Sequence, residues 1–365
     1  MDFETFKEEF SKAVKDHLEA ADGKDYEVDI HKTEKMNESY DALTVKPEDS
    51  NIGVNINITQ CFKEYSDGKD INEIAAKAAD IAAKAIEGRP DFDIEALRDY
   101  DQMKNKLSME VVSAERNAAL LESVPHKGME DMAIVYRFVL DSSEEGRSSI
   151  LVTNKMLEGY GITADQLHKD AMEIAPEIRP AVIKGMSEVM AEMMGAEQAE
   201  MLGLVPTPDE PIFVATVPDK NQGASVIAYQ DFMDQAAEKL GGDFYILPSS
   251  IHEILLVKDD GKFDKAALEQ MVKEVNATQV APEDKLTDNV YHYDSKDKIF
   301  ELAGKYEDRI AGKEAEADVD IGSDEPDSGG RKSVIADLNE KKEQVADKPK
   351  KDDIKKTKEK GDEAL

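Results

Sequence analysis

The stretch that most constrains the fold is Pro211–Val257, PIFVATVPDKNQGASVIAYQDFMDQAAEKLGGDFYILPSSIHEILLV. It reads as strand, turn, strand, helix, strand, turn, strand. Ile212–Val217 is a short apolar, β-rich run, and Asp219–Gly223 is a turn cluster that predicts a chain reversal. Ser225–Tyr229 is then expected as the returning strand. Gln230–Leu240 places Phe232, Met233, Ala236, Ala237 and Leu240 at helical spacing, and Gly241-Gly242 ends the helix. Phe244–Leu247 and Ile251–Val257 are apolar again, broken by Pro248-Ser249-Ser250. Runs this dense in apolar residues need cover on both faces, so the stretch is expected at the centre of a sheet.

The remaining chain supplies helices and further strands. Phe3, Phe6, Phe10, Val14 and Leu18 form one apolar stripe on a helix that Gly23 stops. Tyr26–Lys32, Tyr40–Lys46 and Ile52–Ile58 alternate as strands of an antiparallel sheet. Ile71–Glu87 reads as a helix capped by Asp70. Short helices are expected at Phe92–Leu97 and Ala114–Leu121, and a strand at Leu107–Val112. Met132–Leu140 and Ser148–Val152 read as a hairpin. Lys155–Tyr160, Thr163–Ile174, Val182–Met194 and Glu197–Leu202 read as helices, with Pro176 and Pro180 marking a loop. Phe263–Val275 reads as a helix, Val290–Asp294 as a strand and Ile299–Ile310 as a last helix. The sum is an α+β fold of mixed, mainly antiparallel sheets with packed helices. Pro206, Pro208 and Pro211 form a stiff linker. It divides an N-terminal α+β region (1–205, with a break near 122–130) from a second α+β unit (206–311). Val135–Leu157 lies over Ile212–Asp234 without a gap, a pattern that a duplication and any hairpin entering a helix share.

Charge narrows the partners. The chain carries 80 acidic against 46 basic side chains, a formal net charge of −34. Such a surface repels phosphate backbones and anionic membranes, so neither direct nucleic-acid binding nor membrane association is expected. Basic proteins, DNA-binding proteins among them, are the natural electrostatic partners, although solubility alone accounts for the same surplus. Cys61 is the single cysteine, so no intrachain disulfide forms, which fits a reducing cytoplasm. The start, MDFETFKEEF, lacks the basic and apolar regions of a signal peptide. No apolar run reaches the ~20 residues that span a bilayer. Residues 312–365 are charged and poor in apolar mass, and are expected to be disordered. Within that tail Ser333–Leu338, with Val334, Ile335 and Leu338, opens a short amphipathic island over 333–345, a candidate for docking a partner.

Catalytic patterns are weak. Ser249-Ser250-Ile251-His252-Glu253 gathers hydroxyls, an imidazole and a carboxylate, but triads are recognised by convergence in space, not by adjacency. His252-Glu253 opens an H-E-x-x-H pattern that Leu256 breaks. Asp318–Asp324 has the wrong register for a calcium loop. Neither nucleotide-binding glycine motif occurs. No metal and no cofactor is expected. The methionines Met186, Met190 and Met193, with Met194 and Met201, cluster in one helical region; such surfaces form adaptable grooves or fill irregular cores.

Tyr245–Glu253, Gly223-Ala224 with the residues that follow, Leu286 through Tyr291-His292-Tyr293-Asp294, and Val152-Thr153-Asn154 through Gly161 and Leu167 resemble an uncharacterised family. It is a domain of unknown function from gut Firmicutes and their mobile elements, and the resemblance covers roughly Met1–Lys305. It implies a bacterial cytoplasmic accessory protein and no mechanism. Three readings follow. The leading one is a non-enzymatic protein-binding or adaptor module with a docking tail. The others are an acidic DNA mimic and a hydrolase using His252 with Ser249 or Ser250.

Overall fold

The computed structural model describes residues 1–35, 37–50, 53–88, 94–143, 146–203, 207 and 210–320. Helix α1 (Phe3–Asp22) begins where the Asp2 side chain accepts a hydrogen bond from the Thr5 N–H, and ends at Gly23 in the left-handed region (φ +71°). Its stripe of Phe6, Phe10, Val14 and Leu18 is fully buried. It packs on an antiparallel sheet of order β1 (Tyr26–Lys35), β2 (Glu38–Pro47) and β3 (Val54–Asn57). Helices α2 (Ile58–Ser66) and α3 (Ile71–Glu87) share that core. The expected strand through Ile58 is cut short. Asn57 accepts the Gln60 N–H at 2.9 Å and starts α2 there, while Ile52 lies outside the described residues.

Then come α4 (Tyr100–Met103), β4 (Leu107–Ser113), α5 (Ala118–Leu121), β5 (His126–Met129), β6 (Met132–Ser143) and β7 (Gly146–Leu151). Strand β4 pairs with one side of β6, while β5 and β7 pair with its successive halves on the other. The expected helix at Ala114–Leu121 is only the single turn of α5; of the helix expected at Phe92–Leu97, Ile94–Leu97 lies in a 3-10 segment, Ile94–Arg98, and Phe92 lies outside the described residues.

The third part holds α6 (Asn154–Tyr160), α7 (Ala164–Ile178), β8 (Val182–Gly185), α8 (Met186–Met194), α9 (Ala196–Met201), β9 (Ile212–Thr216) and α10 (Gln230–Leu240). It continues with β10 (Phe244–Leu247), β11 (Ile254–Lys258), α11 (Lys265–Thr278), β12 (Tyr291–Asp294), β13 (Ile299–Leu302) and α12 (Ala303–Asp320). Six of these strands form one antiparallel sheet of order β13-β12-β10-β11-β9-β8. Strands from both sides of the Pro206–Pro211 stretch share this sheet. One face packs with the four-stranded sheet, α7 and α10 into the largest core; the other packs under α11. Strand β10 is buried throughout, as its unbroken apolar run requires. Met1–Arg309 is one compact unit, and the described residues beyond it, 310–320, continue α12 outside that unit.

Four expectations about this part are corrected. Ser225–Tyr229 is no strand: Gly223–Ala228 is a 3-10 segment. Strand β9 is flanked by β11 and β8, so it has no free edge for a returning partner. Consequently Ile212–Asp234 lacks the hairpin that β6 and β7 form within Val135–Leu157. Val182–Gly185 is a strand, not the start of a helix; Val182 and Ile183 are β-branched and Gly185 separates them from α8. Ile299–Leu302 is likewise a strand, paired antiparallel with β12 across a turn in which Lys298 has φ +55°. Helix α7 runs past Ile174 to Ile178 with Pro176 inside it.

Candidate functional site

The densest polar constellation lies where the loop after β9 meets β4 and the turn after β10. Thr216 Oγ1 donates to His252 O at 2.7 Å, and the Gly223 N–H donates to the same oxygen at 3.0 Å. Gly223 is obligatory there, since a Cβ would stand 2.5 Å from His252 O and 2.9 Å from Val217 N. Next to it Gln222 adopts φ +52°, and its N–H donates to His252 Nδ1 at 3.1 Å. His252 Nε2 lies 3.1 Å from Asp284 Oδ1. This bond pattern assigns the ring proton to Nε2. On the other side the Gln222 amide, turned nitrogen-first, reaches both oxygens of Glu110 at 2.6 and 2.7 Å. Glu110 is buried in β4, with Arg137 Nε 3.5 Å away. Glu110, Gln222, His252 and Asp284 thus form one hydrogen-bonded line across four segments, the last being the stretch before β12.

The residues singled out in the sequence take defined places on this line. Ser250 Oγ accepts the His252 backbone N–H at 3.0 Å, a local turn bond. Ser249 O accepts the Leu286 N–H at 3.1 Å. Glu253 is exposed. The two imidazole nitrogens face a backbone N–H and a carboxylate, and neither faces Ser249 or Ser250. The line therefore holds a loop in shape. Glu110 carries a sequence signal that reading by runs passes over: one carboxylate in the middle of the apolar strand Leu107–Val112 needs buried partners.

A cavity of about 600 Å³ opens beside it, lined by the end of β4, the β5–β6 turn and the segment before β12. Arg116, Lys285, Glu115, Asp131 and Asp288 bring both signs of charge to its wall. Asp131 accepts from Thr287 Oγ1 (2.8 Å), Asn289 Nδ2 (3.0 Å) and the Tyr291 hydroxyl. The Asn37 amide reaches over from the β1–β2 turn and donates to Glu283 O (2.7 Å) and Lys285 O (3.0 Å). None of these residues belongs to a recognisable motif, because the bonds across the cavity join residues 156 to 166 positions apart.

The methionine cluster is split by burial. Met186 and Met190 are half-buried on α8, whereas Met193 is 81% and Met201 87% exposed, with Leu202 at 67%. Val182–Gly203 carries Glu188, Glu192, Glu197 and Glu200 against the lone base Lys184, which pairs with Glu188 and Glu192. Val334, Ile335 and Leu338 lie outside the described residues. Among the described residues no group of three or more His, Cys, Asp and Glu side chains could hold a metal ion. No described helix is long and apolar enough to cross a membrane.

Fold and sites together define an α+β protein of antiparallel sheets with a polar cavity and an exposed methionine face. The chain belongs to the family of unknown function DUF5688, whose profile matches residues 3–295 and stops short of β13 and α12. No curated protein and no solved structure matches it.

Proposed function

We propose that the protein is a non-enzymatic protein-binding module that takes a basic amphipathic segment of a partner on the α8–α9 face. The carrying observation is the exposure of Met193, Met201 and Leu202 among four glutamates and one paired lysine. Large apolar side chains in water cost about 25 cal/mol per Å² of apolar surface, and a partner recovers that cost. Methionine adapts its shape to what it meets, and a rim of carboxylates selects a basic helix. Strand addition fits less well. Edge strand β8 has Lys239 Nζ on Ile183 O at 2.5 Å, a device that blunts pairing. The His252 line offers no free imidazole nitrogen for Ser249 or Ser250 and supports no hydrolytic reading.

The test separates apolar docking from bulk charge attraction. A synthetic helix of alternating leucine and lysine faces is titrated into the full chain and into Met193→Glu/Met201→Glu. If the methionines dock the peptide, the variant binds it at least tenfold more weakly. If charge alone attracts it, two added carboxylates leave binding unchanged or tighter, and the reading fails. A photoreactive residue at position 193 then identifies the natural partner.

A further inference from the structure

The cavity beside the His252 line holds charges of both signs that do not pair with each other. Among the described residues neither Arg116 nor Lys285 has a carboxylate partner, and Glu115 has no cation. In a chain with 80 carboxylates such separation needs a cause. The structure supplies it, because several of these groups are tied back to the wall. Arg116 Nη2 donates to Pro282 O at 2.5 Å. Asp288 Oδ1 accepts from Asn276 Nδ2 at 2.6 Å. Asp131 is saturated by Thr287, Asn289 and Tyr291. The backbone at 283–285 is held by Asn37. Opposite charges are thus held apart around about 600 Å³ of open space. That volume lies in the range of small-ligand sites, and preorganised polar walls are what such sites use.

We infer that this cavity binds a zwitterionic small molecule of the amino-acid or short-peptide class. The guanidinium of Arg116 and the ammonium of Lys285 receive its carboxylate, and Glu115 and Asp288 receive its ammonium. A free anion would meet the repulsion of a −34 protein, whereas a zwitterion carries no net charge and meets none at long range. Guanidinium–carboxylate recognition is directional and suits a rim whose arginine is already fixed. The site is built from other elements than the α8–α9 face, so the two proposals stand or fall separately.

Calorimetric titration of the full chain with each of the twenty free amino acids and with trialanine tests it. Acetate and ethylammonium serve as single-charge controls. Saturable binding of at least one zwitterion is expected, with neither control binding at the same concentration. Trialanine binding where free amino acids do not would identify a peptide site; the reverse would identify an amino-acid site. Arg116→Gln and Lys285→Gln should each weaken the bound zwitterion at least tenfold. Lys285→Gln decides the matter if loss of the Pro282 contact unfolds the arginine variant. Absence of binding across the panel, equal binding of acetate, or full affinity in a folded Lys285→Gln would overturn the inference.

Discussion

Asn37 and Asn117 hold each other reciprocally: the Asn37 N–H donates to Asn117 Oδ1 at 2.7 Å, and Asn117 Nδ2 donates to Asn37 Oδ1 at 2.8 Å. Asn37 sits in the β1–β2 turn with φ +60°, a conformation that asparagine tolerates better than most residues. Asn117 is buried at the start of α5 and also donates to Ser113 O at 2.8 Å. The N-terminal sheet is therefore latched to the wall of the cavity through one pair of amides. Asn117→Ala deletes three hydrogen bonds and leaves buried groups without partners, a loss of about 2–4 kcal/mol. Urea unfolding should show that loss. The double variant with Asn37→Ala should cost less than the sum of the two single changes. Strict additivity would show that the two amides do not act as a unit.

A second latch is steric. At Gly223 an added Cβ meets two backbone atoms and, closer still, Thr216 Oγ1. Backbone cannot rotate away as a side chain tip can. Gly223→Ala should destabilise the fold by about 3 kcal/mol or more, in the range of severe overpacking. The adjacent Gln222→Ala should cost less, because it removes the Glu110 bonds without a clash. Thermal unfolding of both variants checks the order, and a milder effect at Gly223 would contradict the contact.

How legible all this was depended on range. The stripe on α1, the alternation of β2 and the turn glycine at 23 are local patterns, and they state burial directly. The dense run at Phe244–Leu247 also stated its own place at the centre of a sheet. Ser225–Tyr229 is kept from pairing as a strand by its neighbours. Its residues are β-competent, but β11 and β8 already occupy both sides of β9. Val182–Gly185 is a strand because the apolar period of α8 does not continue backwards through the two β-branched residues Val182 and Ile183. The cavity was illegible for the same reason as the latch: Asn37, Asn117, Asp131 and Lys285 meet only after three sheets have formed.

The Tyr136–His168 pair predicts a pH response. Tyr136 Oη lies 2.9 Å from His168 Nδ1, and burial holds the tyrosine protonated, so its hydroxyl donates to the neutral ring. Burial pushes His168 below its usual range; Lys127 adds to the shift and Asp165 opposes it. The unfolded chain therefore binds the proton more readily than the folded one. Stability from neutral His168 is complete above the unfolded value near 6.5 and is lost as pH falls through the lower folded value. Denaturation midpoints should fall on acidification below about pH 6.5, and His168→Gln, which still accepts from Tyr136, should flatten that decline. An NMR titration placing the ring at or above 6.5 would refute the assignment.

Cys61 gives the simplest chemical check. Its side chain lines a groove of about 250 Å³ between β3, α2 and α3, beside Ile74 and Ala78. Desolvation, reinforced by Glu64 and opposed by Lys77, pushes the thiol up to about 11. Only the thiolate attacks an alkylating agent, so at pH 8 roughly one molecule in a thousand is reactive at any instant. Iodoacetamide should label the native chain far more slowly than the urea-unfolded chain. The native rate should still be rising with pH at pH 10, where an ordinary thiol has levelled off. Replacing Glu64 by glutamine removes the one charge that raises the value and should speed native labelling, while Lys77→Gln should slow it. Labelling at the unfolded rate in both variants would mean that the groove opens faster than the reagent reacts, and that burial does not protect the thiol.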